Sequence, residues 1–276
     1  MSEYENDETK KRPLRQVIRH RLPLRKGAMP IYVLPNLLTT ANMFFGFFAI
    51  IYSIKGEYLF SAYAIVAGAV FDLFDGRVAR MTNSTSQFGA EYDSLSDLVS
   101  FGMAPSILLF LWALQPFGRL GWLAAFLFVA CGALRLARFN VQATHTGSRK
   151  DFQGLPIPMA AGIVSGSVLA FHDLGWEAYK SRPLLLMTFL LAFVMVSNFR
   201  YRSFKDLDLR ERVPFRYLVG GVVLLIVVAY RPEVMLFVLF LTYALLGAIF
   251  GILKIGKTKG SASAYVDNAS LEDDND

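Results

Sequence analysis

Long uncharged apolar runs recur along this chain, and they limit it to very few architectures. Leu184–Val196, Tyr217–Tyr230 and Val234–Leu253 contain no Asp, Glu, Lys or Arg. Crossing about 30 Å of hydrocarbon takes about 20 helical residues, and inside a bilayer a helix satisfies its own backbone polar groups. Only 18% of the 276 residues are charged, against about 25% in an ordinary soluble domain. A few buried helices in a large soluble core could give one such run, but not a series spread over the whole length. The sequence therefore reads as an all-α, polytopic transmembrane helical bundle. About eight spans are expected, at roughly 33–53, 57–80, 94–115, 121–139, 156–173, 183–200, 216–230 and 233–253.

The basic residues orient these spans. With a cytoplasmic N-terminus, only Lys55, Arg119, Lys180, Arg182 and Arg231 of the 28 Lys and Arg fall on the far side. The positive-inside rule then places both termini in the cytoplasm, and it accounts for the net charge of +6 without a nucleic-acid partner. Residues 1–32 read as a basic cytoplasmic arm. Within it Leu14, Val17, Ile18 and Leu22 fall at helical spacing among Arg15, Arg19 and Arg21. That pattern suits a short helix on anionic membrane lipids, or else a basic arm that only sets topology. Residues 33–255 are expected to form the transmembrane domain, and 256–276 a disordered tail. No cleavable leader is expected, since Met1–Thr9 is polar and acidic. Cys131, the single cysteine, reads as a small buried apolar residue, and His20, His145 and His172 are too scattered to suggest chemistry.

Acidic residues concentrate in one place. Asp72 and Asp75 are three apart near the end of the second span; Asp93 and Asp97 are four apart where the third begins. Those spacings put each pair on one helix face, and the short connection makes the two helices antiparallel neighbours. A charged side chain at membrane depth costs ~2.5–3.5 kcal/mol on the lenient scale. Four carboxylates meeting there would repel one another unless a cation sat among them. Oxygen ligands suit Mg²⁺ or Mn²⁺, and four carboxylates suffice for two ions, an arrangement fitted to displacement at phosphorus. Gly76 would let backbone approach a ligand, and Arg80, one turn on, suits a diphosphate oxygen. On spacing alone, an ion or proton pathway and a structural network with nearby arginines remain open beside metal-dependent phosphoryl chemistry.

The pattern Asp72-x2-Asp75-Gly76-x2-Ala79-Arg80-x8-Gly89-x3-Asp93-x3-Asp97 resembles the full signature of the CDP-alcohol phosphatidyltransferases, eight fixed positions over 26 residues. The segments Leu34–Asn42, Asp93–Ser106, Ala133–Asn140, Phe152–Pro158 and Ser197–Lys205 look like the phosphatidylserine synthase branch of that family. The resemblance implies that Asp72, Asp75, Asp93 and Asp97 ligate two Mg²⁺ or Mn²⁺ ions, with Asp97 also the general base. It implies that Gly76, Ala79 and Arg80 contact the CDP moiety of CDP-diacylglycerol, while Gly89 allows close approach. L-serine would be the acceptor, phosphatidylserine and CMP the products, and a homodimer in a bacterial inner membrane the setting.

Reading the residues themselves adds Asn36 and Thr39, on one face at the start of the first span, as nucleotide contacts or helix–helix hydrogen bonds. Arg135 and Arg138, three apart, and Asn140 could hold a zwitterionic acceptor, the arginines being otherwise topological anchors. Gly162 and Gly166 read as helix-packing positions. Alternatives are a different acceptor, such as glycerol 3-phosphate, an inositol compound or choline, and, from another class, a transporter.

Overall fold

The computed structural model describes residues 33–82, 84, 86–145, 152–197, 200–201, 220–221 and 230–247. Among them run seven helices: α1 Val33–Ile54, α2 Tyr58–Met81, α3 Gln87–Phe117, α4 Arg119–His145, α5 Ile157–Leu174, α6 Arg182–Val196 and α7 Pro232–Gly247. The first five are long and apolar enough to cross a membrane; α6 and α7 are shorter. Five spans thus replace the expected eight within these residues. The expected arm at 1–32, the tail at 256–276 and nearly all of the 216–230 segment lie outside them.

Side chains on α1 are distributed inside out relative to a helix of a soluble bundle. On α1 the buried stripe is Pro35, Thr39, Asn42, Gly46, Ala49 and Ser53, spaced alternately four and three apart. These residues are small or polar, whereas Leu37, Phe44, Phe47 and Ile54 point outward. Lipid solvates large apolar groups as well as protein does, so close backbone approach and interhelical hydrogen bonds drive helix association instead. Accordingly α1 packs along α2, with Ser53 and Ser61 hydrogen-bonded at 2.8 Å. It meets α3 where Gly46 lies directly against Ser100.

The helix α5 is the most enclosed span, with 61% of its central window buried against 28% for α1. It packs on α2, and the apolar centre around it contains Phe101, Leu108, Phe128, Ile157 and Ile163. Gly162 and Gly166 are packing positions: a Cβ at the first would meet the Phe240 ring at 2.9 Å, and at the second the Phe237 Cα at 3.2 Å. Cys131 is buried, as its residue type suggested. A two-residue antiparallel pairing, Phe152 with Tyr201 and Gln153 with Arg200, ties the chain before α5 to that after α6. It is the one departure from an all-helical fold among the described residues. Gly154 follows with φ +80°, its α-carbon against the Met195 carbonyl, where a side chain has no room.

The third helix starts seven residues before the expected 94, because its first turns are polar and hydropathy does not reveal them. Ser86 caps it, accepting a hydrogen bond from the Gly89 amide at 3.0 Å. It is α-helical through Asp97 and then widens to π-helical turns over Leu98–Met103 and again over Phe110–Leu114. A proline follows each stretch closely, Pro105 and Pro116. Proline has no N–H to donate and its ring crowds the preceding turn, which favours the longer-range bonds seen from Ala104 N to Val99 O and from Gln115 N to Phe110 O.

Because an added methyl at Gly46 would collide with Ser100, Gly46→Ala should destabilise the protein by about 1–3 kcal/mol. A thermal scan in detergent checks this, and an unchanged Tm would mean that α1 and α3 do not meet so closely.

Candidate active site

The end of the bundle where α1 begins, α2 ends and α3 begins carries nearly all of the polar side chains singled out from the sequence. Asp72 and Asp75 stand on the last turns of α2, and Asp93 and Asp97 lie on the α-helical part of α3. Asp72, Asp75 and Asp93 each turn an oxygen into one group, all within 4.8 Å of one another. Asp97 falls outside that set of three. Its carboxyl lies within hydrogen-bond reach of Asp72 instead, one helical turn deeper into the bundle than Asp93.

Neutral donors on α1 hold two of these carboxylates. Thr39 Oγ1 donates to Asp75 Oδ2 at 2.9 Å. Asn42, one turn further on, donates through Nδ2 to Asp97 Oδ1 at 3.3 Å. The register that permits both is locked by reciprocal bonds from α3: Ser96 Oγ donates to the Thr39 carbonyl at 3.0 Å and Ser100 Oγ to the Asn42 carbonyl at 2.9 Å. Asn42 was not among the residues singled out from the sequence. Its only local signal is that it extends the Asn36–Thr39 face by one turn into an otherwise apolar span.

A cavity of about 270 Å³ opens beside the carboxylates. Asn36, Thr39, Gly76, Ala79, Arg80 and Gly89, the six residues expected to contact a CDP-lipid, all line it, together with Asp75 and Asp93. Above Gly76 the nearest side-chain atom to a built Cβ is Arg80 Nη1 at 3.5 Å. The protein's own packing would therefore tolerate a methyl there, and the glycine leaves free space on the cavity side. Gly89 is more confined: its Cβ would come within 3.1 Å of Ser86 Oγ and 3.6 Å of Asn36 Oδ1. Ser84 and Ser86, on the short connection, also line the cavity and were not foreseen.

The three residues expected to bind the acceptor are placed differently from one another. Arg135 is only 9% exposed and close enough to Asp97 to interact with it electrostatically, yet its Nε has no hydrogen-bond partner. Arg138 reaches the Val196 carbonyl at 3.4 Å, tying α4 to α6. Asn140 donates to Ser94 Oγ at 3.0 Å and to Glu91 Oε2 at 3.3 Å, on the face of α3 that adjoins α4.

Whether the carboxylates suit divalent cations can be judged from their surroundings. None of the four forms an ion pair with a described lysine or arginine. Asp93 Oδ1 is buried and lacks a hydrogen-bond partner. Three clustered acids with an orphaned oxygen, and with no cationic side chain in contact among the described residues, are an all-oxygen donor set of the kind hard divalent ions take. The residues fit such ions.

A family model described as CDP-alcohol phosphatidyltransferase matches residues 32–199. A Helicobacter pylori (strain J99) protein named CDP-diacylglycerol–serine O-phosphatidyltransferase is 39% identical over 232 residues, which cover 82% of this chain and 95% of that protein. A Bacillus subtilis protein of the same name is 35% identical over 62% of this chain and 91% of its own length. An archaetidylserine synthase from Methanothermobacter thermautotrophicus is 38% identical over 61% of this chain and 69% of its own.

If the acidic cluster binds divalent ions, Mn²⁺ at 100 times its Kd should stabilise the folded protein by about 2.7 kcal/mol. Asp93→Asn should remove most of that gain. The measurement is Tm in detergent with and without Mn²⁺; equal shifts in the two proteins would place the ions elsewhere.

Proposed function

This chain belongs to the CDP-alcohol phosphatidyltransferase family, and we propose that it transfers the phosphatidyl group of CDP-diacylglycerol to L-serine, releasing CMP. The observation that carries the reading is the shared wall of the cavity. Two of the clustered aspartates face the same space as Arg80, Gly76, Ala79, Gly89, Asn36 and Thr39. A nucleotide diphosphate needs that combination of metal ligands, one guanidinium and unobstructed backbone. Serine as acceptor is supported by the names of relatives that align over nearly their whole length.

In the mechanism that follows, Asp72, Asp75, Asp93 and Asp97 would hold two Mg²⁺ or Mn²⁺ ions, which when bound neutralise phosphate oxygens and stabilise the leaving CMP. Arg80, whose guanidinium curls over Gly76, binds a diphosphate oxygen on the nucleotide side. Asn36 and Thr39 meet the nucleotide from α1. The acyl chains stay in lipid, since the outward faces of α1 and α2 around the site carry Leu37, Leu73 and Phe74. Serine enters with its carboxylate directed to Arg135, the buried guanidinium nearest Asp97.

Asp97 takes the hydroxyl proton as the serine oxygen attacks the lipid-linked phosphorus, and the bond from that phosphorus to the CMP oxygen breaks. The one hydroxyl bonded to the clustered carboxylates, that of Thr39, donates its proton to Asp75, and no Cys or His is among the described residues lining the cavity, so direct displacement is favoured over a phosphatidyl-enzyme. The asymmetry of the acidic group supports dividing the labour. Asp97 sits apart from the cluster of three, held on one oxygen by an amide and adjoining Arg135. The excess of Lys and Arg on one side of the spans directs the site toward the cytoplasm, where serine and CDP-lipid headgroups are met together. A homodimer in a bacterial inner membrane completes the proposal.

Purified protein given CDP-diacylglycerol, Mn²⁺ or Mg²⁺ and a panel of labelled alcohols should release CMP with serine and not with glycerol 3-phosphate, an inositol compound or choline. Asp97→Asn should lower kcat about 10²–10⁴-fold while CDP-diacylglycerol still binds. A near-normal kcat in that variant would exclude Asp97 as the base, and CMP release with another alcohol alone would exclude serine.

A further inference from the structure

We infer that Asn42 is a positioning residue for the transfer reaction, holding one oxygen of Asp97 so that the other is presented to the incoming hydroxyl. The inference rests on Asp97 acting as the base. It is carried by how the side chain sits. Asn42 is 0% exposed and does not line the cavity, so it acts through another residue rather than on substrate. Its Nδ2 donates to Asp97 Oδ1 at 3.3 Å. Its own Oδ1 is buried with no hydrogen-bond partner and faces α2, where a Cβ on Gly68 would stand 3.0 Å away.

That half-satisfied state argues against a purely structural role. A buried amide with one end unpaired is disfavoured in folding compared with an apolar side chain of similar shape. Turning the amide over would set its oxygen against the carboxylate of Asp97, so the observed orientation is the one that donates. What the protein obtains from the arrangement is a fixed Asp97. A carboxylate has two broad rotational positions about its last bond, and an amide donor on Oδ1 selects one of them. The donor is itself immobile, because Ser100 Oγ binds the Asn42 carbonyl at 2.9 Å and Gly46, one turn on, brings α1 and α3 into direct contact. Groups that orient a reacting carboxylate or metal ligand in this way commonly account for 10–100-fold in activity.

The test uses the full-length protein in detergent with CDP-diacylglycerol and serine. Asn42→Leu, close in shape but without the donor, should lower kcat about 10–100-fold. Calorimetric titration with CDP-diacylglycerol in the absence of serine should show its affinity unchanged within about twofold, and Tm should not fall. Ser53→Ala serves as the structural comparator: it removes the α1–α2 hydrogen bond to Ser61 at the far end of α1 without touching Asn42 or Asp97, and should lower Tm while kcat stays within about twofold. If Asn42→Leu does not fold, Asn42→Ala is measured in its place with the same expectation. An unchanged kcat in the substituted protein, or an equal loss in Ser53→Ala, overturns the inference while wild-type turnover of serine stands. Absence of CMP release by the wild-type protein with serine overturns the functional reading instead.

Discussion

Like charges gathered at membrane depth set the terms for this molecule. Asp72, Asp75 and Asp93 come from two consecutive helices and meet in one small volume, with Asp97 beside Asp72, where each would sooner be solvated or apart. What keeps them together is α1, which contributes no charge of its own. It offers one neutral donor per turn, Thr39 to Asp75 and Asn42 to Asp97, and accepts hydroxyl bonds from Ser96 and Ser100 on its backbone. Such contacts require backbones to approach closely, and the small-residue stripe through Gly46, Ala49 and Ser53 allows it. The cavity and the meeting of the carboxylates both follow from that helix–helix register.

Unsatisfied polarity is concentrated in the same place. Among the described residues, Asn42 Oδ1, Asp93 Oδ1 and Arg135 Nε are the buried side-chain atoms without a hydrogen-bond partner. All three adjoin Asp97 or belong to its cluster. A bundle that satisfies its serines and threonines elsewhere against carbonyls, as at Ser53, Ser106, Ser165 and Thr188, has the means to avoid such atoms. That they persist at one end is what a site built for incoming charged ligands would leave behind. The family comparison and the electrostatic arrangement thus point the same way from separate observations.

Irregular backbone lies just beyond the site. The α-helical turns of α3 end at Asp97, and the wider π-helical turns begin at Leu98. Because Asp93 and Asp97 sit before that change, their four-residue spacing still places them on one face. Ser96 and Ser100, on either side of the change, both bond α1, and Phe101 beyond it is buried in the apolar centre. Pro105 makes the widening a local consequence of composition, and one helix carries Asp93 and Asp97 at one end and core residues in its middle.

Most of the spans could be located from the sequence, because hydrophobicity and length are local properties and the lipid, not a partner helix, selects for them. So could the two aspartate pairs, since spacings of three and four define a face on any helix, and the cavity-lining residues Gly76, Ala79, Arg80 and Gly89 through their motif. The start of α3 was hidden, because Gln87–Asp97 is polar and its helicity depends on the Ser86 cap and on packing against α1. Only the tertiary structure could separate Asp97 from the other three carboxylates or join it to Asn42, 55 residues away in the chain. Helical spacing says which residues share a face; which faces meet, and at what register, is decided by how closely two backbones can approach.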